Sequence, residues 1–453
     1  MNNLQKMKQT KLTENGDKSF KTTGNNYTDI MFLTEYLENH LDEIKIGKKT
    51  KDKVLSMYIR DPRFGMGKRK LGRKLCELSE VTPENIVLSG RFDDLLSNPT
   101  DENIEYLKKE LMNGNELAKK WMPRLKQKDK MVAKELCKMW GINEKEYRKL
   151  IKVETTEYKL SYAKNNINSN PLEKAFNKDK KHPLVDTIKF EEVPSMAMKK
   201  YIKCFTRRED LSERFDNYMQ KVKENKTKIN VNTTNVYDAY KTAGNNKNDD
   251  ILANKMLENQ TKNISLDCLV IHDSSGSMYN VNDSIGKANS IALALATKST
   301  YCPNQLISFS NNPYFIEIKG KTLQEKYESF ETEEVANTDF GKVMRLCGEL
   351  NKYPEYFVCL SDMEFDNGSY QSKEEAMKII KEKSHKTKII WWNLNSRNAT
   401  IPELDEYGNI YLSGYSIKML ELLENNFNME EYIDKILEKY IKDIKLLTKY
   451  NKK

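Results

Sequence analysis

The chain has 453 residues, of which 38% are hydrophobic and 32% charged, a polar but globular composition. A length of this order predicts two or three domains rather than a single core. There is no run of about 18 apolar residues and no secretory signal pattern, so we expect a cytoplasmic protein without a membrane span. The seven cysteines lie far apart and form no C-x-x-C pair, which argues against a disulfide framework or a zinc cluster.

The net charge of +9 is unevenly distributed along the chain. Residues 1–262 contain 53 Lys and Arg against 39 Asp and Glu, a net charge of +14. Residues 263–453 contain 23 against 28, a net charge of −5. A basic half is typical of proteins that bind polyanions, because phosphate neutralisation releases counterions. A lysine-rich solvated surface explains the same charge, and charge alone does not decide between the two.

The first part of the chain has helical periodicity. We expect residues 1–28, which are polar and have no sustained period, to form an extended or partly disordered arm. From Ile30 to Trp140, apolar residues recur at spacings of three and four, which predicts short antiparallel helices. A polar insertion follows near residues 161–182, and helical periodicity resumes from Pro194 to Val222. We therefore predict a helical module over residues 29–262, stacked like a HEAT-type α-solenoid.

The pattern changes after a polar connection at residues 230–250. Beyond Ile264, short apolar strands alternate with amphipathic helices, which predicts a mostly parallel, doubly wound sheet with helices on both faces. The expected strands are 266–272, 306–309, 314–318, 356–360 and 388–392, with helices at 283–300, 340–350 and 373–383. The predicted fold class is multidomain α and α/β, and the second domain covers residues 263–453 and ends in a helix.

The first of these strands ends in a D-x-S-x-S turn, Asp273-Ser-Ser-Gly-Ser277. One carboxylate and two hydroxyls, those of Asp273, Ser275 and Ser277, suit a hard divalent cation such as Mg²⁺. Mg²⁺ requires near-octahedral coordination, so later loops must add oxygens. Thr338 precedes a helix and Asp362 follows the fourth strand, where ligands of such sheets bind. The alternative is that Asp273 and Ser275 only cap the turn, which leaves Thr338 and Asp362 unexplained.

These residues resemble, in the same order, the metal-ion-dependent adhesion site (MIDAS) of von Willebrand factor A-type (vWA) domains. The resemblance covers about residues 264–427. It implies that Ser275, Ser277 and, in some states, Thr338 contact Mg²⁺ or another divalent cation directly, while the two aspartates act largely through water. It also implies that a carboxylate of a protein partner completes the metal coordination.

The same turn also resembles the signature of haloacid-dehalogenase phosphatases, and Ser361-Asp362-x-x-x-Asp366 resembles the distal acidic motif of that family. That chemistry requires a nucleophilic aspartate and a second carboxylate two residues later as general acid. Ser275 occupies that position here, and a serine hydroxyl does not serve as such an acid. We therefore expect no enzymatic activity and no catalytic residues.

The densest positive segment runs from Arg60 to Lys74. Spacings of three and four on a helix beginning near Lys68 would place cations on one face, opposite leucines. We predict that this basic stripe binds RNA through Arg60, Arg63, Lys68, Arg69, Lys70, Arg73 and Lys74. The alternative is a solvated helix face in which Arg60 pairs with a carboxylate. Tyr58 and Phe64 are expected to be core residues rather than platforms for unpaired bases.

Two patterns carry a further resemblance. The order R-D-x-R-x-G-x-G-x-R at residues 60–69, followed by Gly90-Arg-Phe-Asp-Asp-Leu-Leu96, resembles the helical TROVE module that precedes a vWA domain in Ro ribonucleoproteins. An uncharacterised Ro-related family from viruses and eukaryotes is more similar still. Its traits here are Asn15-Gly-Asp17, Asn337-Thr-Asp-Phe340, Leu360-Ser-Asp-Met-Glu-Phe365, Trp392-Asn-Leu394 and Leu412-Ser-Gly414.

The Ro resemblance implies a non-enzymatic scaffold that binds structured or single-stranded RNA, located in the cytoplasm or, for a viral protein, in the host cytoplasm or the virion. The helical region is shorter than a full Ro ring, so the sequence leaves ring closure open. The alternative is a protein-binding or particle-structural component that binds no RNA.

Overall fold

The computed structural model describes residues 10–126, 129–152, 188–279, 283–309, 311–330, 337–395, 398–403, 408–423 and 428–450, with side chains to residue 446. The chain divides into two compact units. The sheet unit comprises Met1–Glu43 and Lys189–Ile436, and the helical unit comprises Ile44–Ile188 and Leu437–Lys453. The polar insertion predicted at 161–182 lies outside the described residues.

The strands within the described ranges are β1 (Thr10–Leu12), β2 (Lys18–Phe20), β3 (Cys268–Asp273), β4 (Gln305–Phe309), β5 (Tyr314–Glu317), β6 (Tyr356–Ser361), β7 (Lys388–Asn393) and β8 (Ile410–Ser413). The last six form one sheet in the order β5-β4-β3-β6-β7-β8. All neighbours are parallel except β4 and β5. Counted within this sheet, the order is 3-2-1-4-5-6, which is that of doubly wound sheets. The predicted fold class is confirmed.

The helices of the sheet unit cover both faces of this sheet. Consecutive residues of a strand point to opposite faces, and Trp391 and Trp392 of β7 are both fully buried. The ring of Trp391 lies 5.2 Å from that of Phe340, at the start of one helix. The helices are Asn26–Phe32, Thr34–Leu37, Ser195–Arg207, Ser212–Lys223, Val236–Thr242, Lys247–Thr261, Ser284–Ala296, Leu323–Glu328, Phe340–Gly348, Ser369–Lys383 and the first part of Met429–Tyr450. No helix of the described ranges is long and apolar enough to cross a membrane.

The helical unit is built from short amphipathic helices. They are Thr50–Arg60, Arg69–Leu78, Pro83–Ser89, Asp101–Met112, Glu116–Trp121, Lys130–Trp140 and Glu144–Leu150, with a 3₁₀ segment at Phe92–Ser97 and the last part of Met429–Tyr450. Leu71 and Leu75 lie four residues apart on one face of their helix and are fully buried. Pro83 begins a helix, where its missing N–H costs no hydrogen bond. The helical periodicity predicted for this region is therefore observed.

The helices Thr50–Arg60 and Arg69–Leu78 approach each other closely at Gly72. A Cβ atom at this position would lie 2.6 Å from both the Cα and the Cβ of Arg60. Gly72→Ala should destabilise the helical unit by about 1–3 kcal/mol, because the two helices must move apart. Urea unfolding followed by circular dichroism measures this. Gly348→Ala is the matched control, since the nearest side-chain atom there is 3.9 Å away, and an equal loss in both variants would contradict the steric explanation.

Residues 10–28 are more ordered than the expected extended or partly disordered arm. β1 and β2 form an antiparallel hairpin, and Asn25 caps the helix that begins at Asn26. Phe20 and Ile401 exchange backbone hydrogen bonds at 2.9 and 3.0 Å. Periodicity does not reveal this order, because the contacts that stabilise the hairpin come from residues far away in sequence.

The predicted boundary near residue 263 does not coincide with the division into units. Residues 189–262 belong to the sheet unit. The connection expected at 230–250 contains the helix Val236–Thr242, capped by Asn235, and the start of the helix Lys247–Thr261, capped by Asn246. Residues 437–453, expected in the second domain, belong to the helical unit, where Tyr440 packs on Tyr58 at 5.6 Å between ring centroids. The division into units therefore follows the packing of side chains in three dimensions rather than position along the chain.

Candidate metal centre and nucleic-acid interface

Asp273 is the last residue of β3, the central strand, and is fully buried. Its Oδ1 accepts a hydrogen bond from the backbone N–H of Ser275 at 2.8 Å. Its Oδ2 accepts one from the hydroxyl of Ser361, the last residue of the neighbouring strand β6. The strand order reverses between β3 and β6, so the chain leaves these two strands in opposite directions and opens a crevice at their carboxyl ends. The turn predicted to bind a cation lies at this crevice.

The serines of the D-x-S-x-S turn make contacts on different sides of the turn. Ser274 faces β4, where its N–H and its hydroxyl donate to the carbonyl of Phe309 at 2.9 and 3.0 Å. The hydroxyl oxygens of Ser275 and Ser277 lie 3.3 Å apart, at the start of a 3₁₀ turn. Ser275 is buried, whereas Ser277 is half-buried. The turn therefore presents two adjacent hydroxyl oxygens beside one buried carboxylate.

Thr338 and Asp362 lie on two loops that are joined to each other. Both residues are buried. The carbonyl of Thr338 accepts a hydrogen bond at 2.9 Å from the backbone N–H of Asp366, four residues after Asp362. The ring of Phe340, just after Thr338, stacks on Phe365 with 4.7 Å between centroids. The structure thus connects the loops of Thr338 and Asp362, while Ser361 connects the second of them to Asp273.

The electrostatics of this arrangement favour a cation. Burial, and after it the negative charge of Asp362, raises the pKa of the Asp273 carboxyl to about 7. The hydrogen bonds from Ser275 and Ser361 oppose the shift. Within the described ranges, no three His, Cys, Asp or Glu side chains form a metal-binding group. Two carboxylates with hydroxyl oxygens and water nevertheless match the hard-oxygen preference of Mg²⁺, so the residues fit the ion.

The basic stripe differs from its prediction at Arg60. This side chain is buried, with 4% of its surface exposed, and its guanidinium forms an ion pair with Asp94. The position of Arg60 therefore argues against the predicted RNA contact. Arg60 does pair with a carboxylate, as the alternative expected, but the pair is buried and does not lie on a solvated helix face. Helical spacing shows which cations share one face of a helix. It does not show that Asp94, 34 residues after Arg60, is the acidic partner of Arg60.

Asp93 and Asp94 hold two more arginines of the stripe. The Nε of Arg73 donates to Asp94, and its Nη2 lies 3.2 Å from Asp93, which also pairs with Arg69. Both aspartates belong to the segment Gly90–Leu96. The two sequence patterns that resemble the TROVE module are therefore in contact with each other. The sequence signal for this contact was the pair Asp93-Asp94, which follows an arginine-rich helix.

The other cations of the stripe differ in exposure. Arg63 pairs with Asp61 through two nitrogens, at 3.2 and 3.1 Å, and Lys74 pairs with Glu77 at 3.1 Å. Lys70 is exposed and forms no ion pair with any residue that the structure describes, and Lys68 is half-buried. The stripe therefore keeps exposed positive charge at Lys70, while Arg63 and Arg69 are exposed but paired with aspartates.

The two aromatic residues near the stripe also differ. Tyr58 is a core residue, as expected. Phe64 is 37% exposed, and the guanidinium of Arg63 lies 5.7 Å from the centroid of its ring. The expectation of a core position is therefore wrong for Phe64, because this residue follows the end of its helix.

The charge asymmetry becomes larger when it is counted by unit. Residues 44–188 and 437–453, which make up the helical unit, contain 39 Lys and Arg against 23 Asp and Glu, a net charge of +16. The sheet unit carries the remaining −7 of the total of +9. The compact units thus separate positive from negative charge more sharply than the two halves of the sequence do.

Comparisons with known proteins place two families along the chain. Residues 88–265 match a domain of unknown function (DUF2828), and residues 267–452 match another domain of unknown function (DUF7788). No curated protein sequence matches the chain. Among solved structures, the chain is similar to the Ro (RSR) protein of Deinococcus radiodurans, with 10% identity over 95% of this chain and 96% of that chain and a TM-score of 0.42.

Proposed function

We propose that the protein is a non-enzymatic, Ro-like RNA-binding scaffold. The helical unit binds structured or single-stranded RNA, and the site at Asp273, Ser275, Ser277, Thr338 and Asp362 binds Mg²⁺ and recruits a protein partner through a carboxylate. The observation that carries the RNA part is the net charge of +16 on the helical unit against −7 on the sheet unit. Clustered cations on one compact unit attract polyanions, because each neutralised phosphate releases counterions.

Lys70 and Lys68 of the basic stripe are the strongest candidates for phosphate contacts. Lys70 is exposed, and Lys68 is half-buried at the N-cap of the same helix. Arg69 keeps 46% of its side chain exposed while paired with Asp93. Solvated ion pairs contribute little energy, so Arg69 can exchange this aspartate for a phosphate. Arg73 is only 25% exposed and also donates to the buried Asp94. Arg60 has a structural role instead.

The cation part of the proposal has its own support. Bringing Asp273 and Asp362 together without a cation is unfavourable, as the raised pKa of Asp273 indicates. A bound Mg²⁺ would supply the compensating charge, and it would keep a coordination position for an incoming carboxylate. Ser275 stands where a phosphatase of this type has its general acid, which supports a binding site rather than a catalytic one.

Replacing Lys68 and Lys70 with Gln should weaken RNA binding for all sequences alike. If both lysines contact phosphates, the slope of log affinity against log salt should fall by about 1.5, since each lost contact removes roughly 0.7–0.9. Filter binding with labelled RNAs at several salt concentrations measures this slope. Lys378→Gln/Lys418→Gln is the matched control, because it removes two exposed lysines of the sheet unit and should leave the slope unchanged.

Two results would contradict this proposal at different levels. Equal slopes for the wild type and the Lys68/Lys70 variant would remove the stripe from the RNA interface. No binding at low salt would exclude RNA as a ligand. A protein-binding scaffold without RNA would then be the better hypothesis. The ion pairs of Arg60, Arg69 and Arg73 with aspartates favour that alternative, because they neutralise cations that RNA would otherwise contact.

A further inference from the structure

Residues Thr13–Asp17, here the N-terminal turn, contact residues Asp362–Asn367, here the acidic loop. The hydroxyl of Thr13 donates to the carbonyl of Phe365 at 2.7 Å. The side-chain amide of Asn15 donates to the carbonyl of Glu364 at 2.7 Å, and the carbonyl of Asn15 accepts from the backbone N–H of Asn367 at 3.1 Å. The turn therefore holds the acidic loop at three residues, Glu364, Phe365 and Asn367.

Glu364 gives the turn a second point of attachment. Its carboxylate is buried and accepts hydrogen bonds from the backbone N–H of Glu14 at 2.6 Å and from the hydroxyl of Thr400 at 2.8 Å. The backbone N–H of Glu364 in turn donates to the carboxylate of Asp362 at 3.4 Å. A buried carboxylate needs such donors, so the loop has a strong preference for the conformation in which the turn is docked.

The acidic loop also connects the N-terminal turn to Thr338, a second predicted ligand of the cation. Gly16 forms a β-bridge with Asp366, whose backbone N–H donates to the carbonyl of Thr338. The φ angle of Gly16 is 86°, which favours glycine, and a Cβ atom at this position would lie 3.7 Å from the Cβ of Asn367. A shift of the N-terminal turn would therefore displace the loops of both Asp362 and Thr338.

We propose that the N-terminal turn is a positioning element of the cation site and sets its affinity for Mg²⁺. The inference rests on the proposed function in requiring that the site binds Mg²⁺. This ion demands near-ideal octahedral geometry, so small displacements of the loops that carry its ligands weaken binding. Loss of groups that support metal ligands commonly lowers metal affinity by about 10–100-fold.

Thr13→Val in the full chain should raise the Kd for Mg²⁺ by about 10–100-fold. Valine keeps the shape of threonine, but the carbonyl of Phe365 and the backbone N–H of Asp17 lose their shared partner. Titration calorimetry with MgCl₂ measures the Kd. Thr13→Ser retains the hydroxyl and should bind Mg²⁺ like the wild type. Glu364→Gln, which offers one acceptor oxygen instead of two, should show the same direction of change.

Thr34→Val is the matched control for a merely structural effect. It removes another buried hydroxyl of the N-terminal segment, which donates to Ser413 at the end of β8 at 3.0 Å, away from the acidic loop. It should lower the melting temperature and leave the Kd for Mg²⁺ unchanged. If Thr13→Val is less stable but binds Mg²⁺ as tightly as the wild type, the inference is overturned while the cation site stands. If the wild type itself binds no Mg²⁺, the site and the inference fall together.

Discussion

Asp94→Ala is expected to destabilise the helical unit by about 3–5 kcal/mol, because it leaves a buried guanidinium without its counter-charge. The side chains of Asp94 and Arg60 are 1% and 5% exposed. Asp94 also accepts from the Nε of Arg73 and from the backbone N–H of Arg91 at 2.8 Å. Hydrogen–deuterium exchange of the full chain measures the loss and assigns it to a unit, since the helices Thr50–Arg60 and Arg69–Leu78 should exchange faster while β3 and β6 do not.

Asp93→Ala is the matched control for this prediction. The Asp93 side chain is 23% exposed, and it pairs with Arg69 and Arg73, which reach solvent themselves. Solvated ion pairs contribute about 0–1 kcal/mol, so this neighbouring substitution should have a small effect. Equal exchange rates in the two variants would contradict the view that burial of Arg60 makes Asp94 essential.

The sheet could be predicted from the sequence because its strands are apolar runs of regular length between helices. The predicted strand at 356–360 is observed at Tyr356–Ser361, and that at 388–392 at Lys388–Asn393. The short strand Ile410–Ser413 was missed, although all four of its residues are buried. Three apolar residues and a serine do not distinguish a strand from a loop, and only pairing with β7 makes this segment a strand.

The candidate site was predictable in its local part and not in its long-range part. Asp273, Ser275 and Ser277 lie within five residues, so the geometry of one turn determines how they meet. The hydrogen bond from Ser361 to Asp273 and the contacts of the N-terminal turn depend on strand order and on docking of distant segments. The burial of Arg60 against Asp94 was unpredictable for the same reason, because helical spacing shows which cations share a face but not which carboxylate pairs with them.

Mg²⁺ should stabilise the wild-type protein against heat, and Asp273→Asn should abolish this effect. An ion that binds only the folded state at 100 times its Kd adds about 2.7 kcal/mol, which corresponds to about 5–10 °C for a domain of this size. Asparagine retains an acceptor for the backbone N–H of Ser275 but has no charge. Without Mg²⁺, the variant should therefore melt at or above the temperature of the wild type, since burial disfavours the ionised carboxylate of Asp273.

Differential scanning calorimetry in chelator and in millimolar Mg²⁺ tests both parts of this prediction. Asp339→Asn is the matched control, because it makes the same change of charge next to Thr338 and retains the oxygen that caps the helix Phe340–Gly348. This control should keep the full Mg²⁺-dependent shift. A wild type that melts identically in chelator and in Mg²⁺ would show that the site binds no Mg²⁺. A shift that persists in Asp273→Asn would place the ion elsewhere, because the central carboxylate of the site cannot be lost without consequence for an ion bound to it.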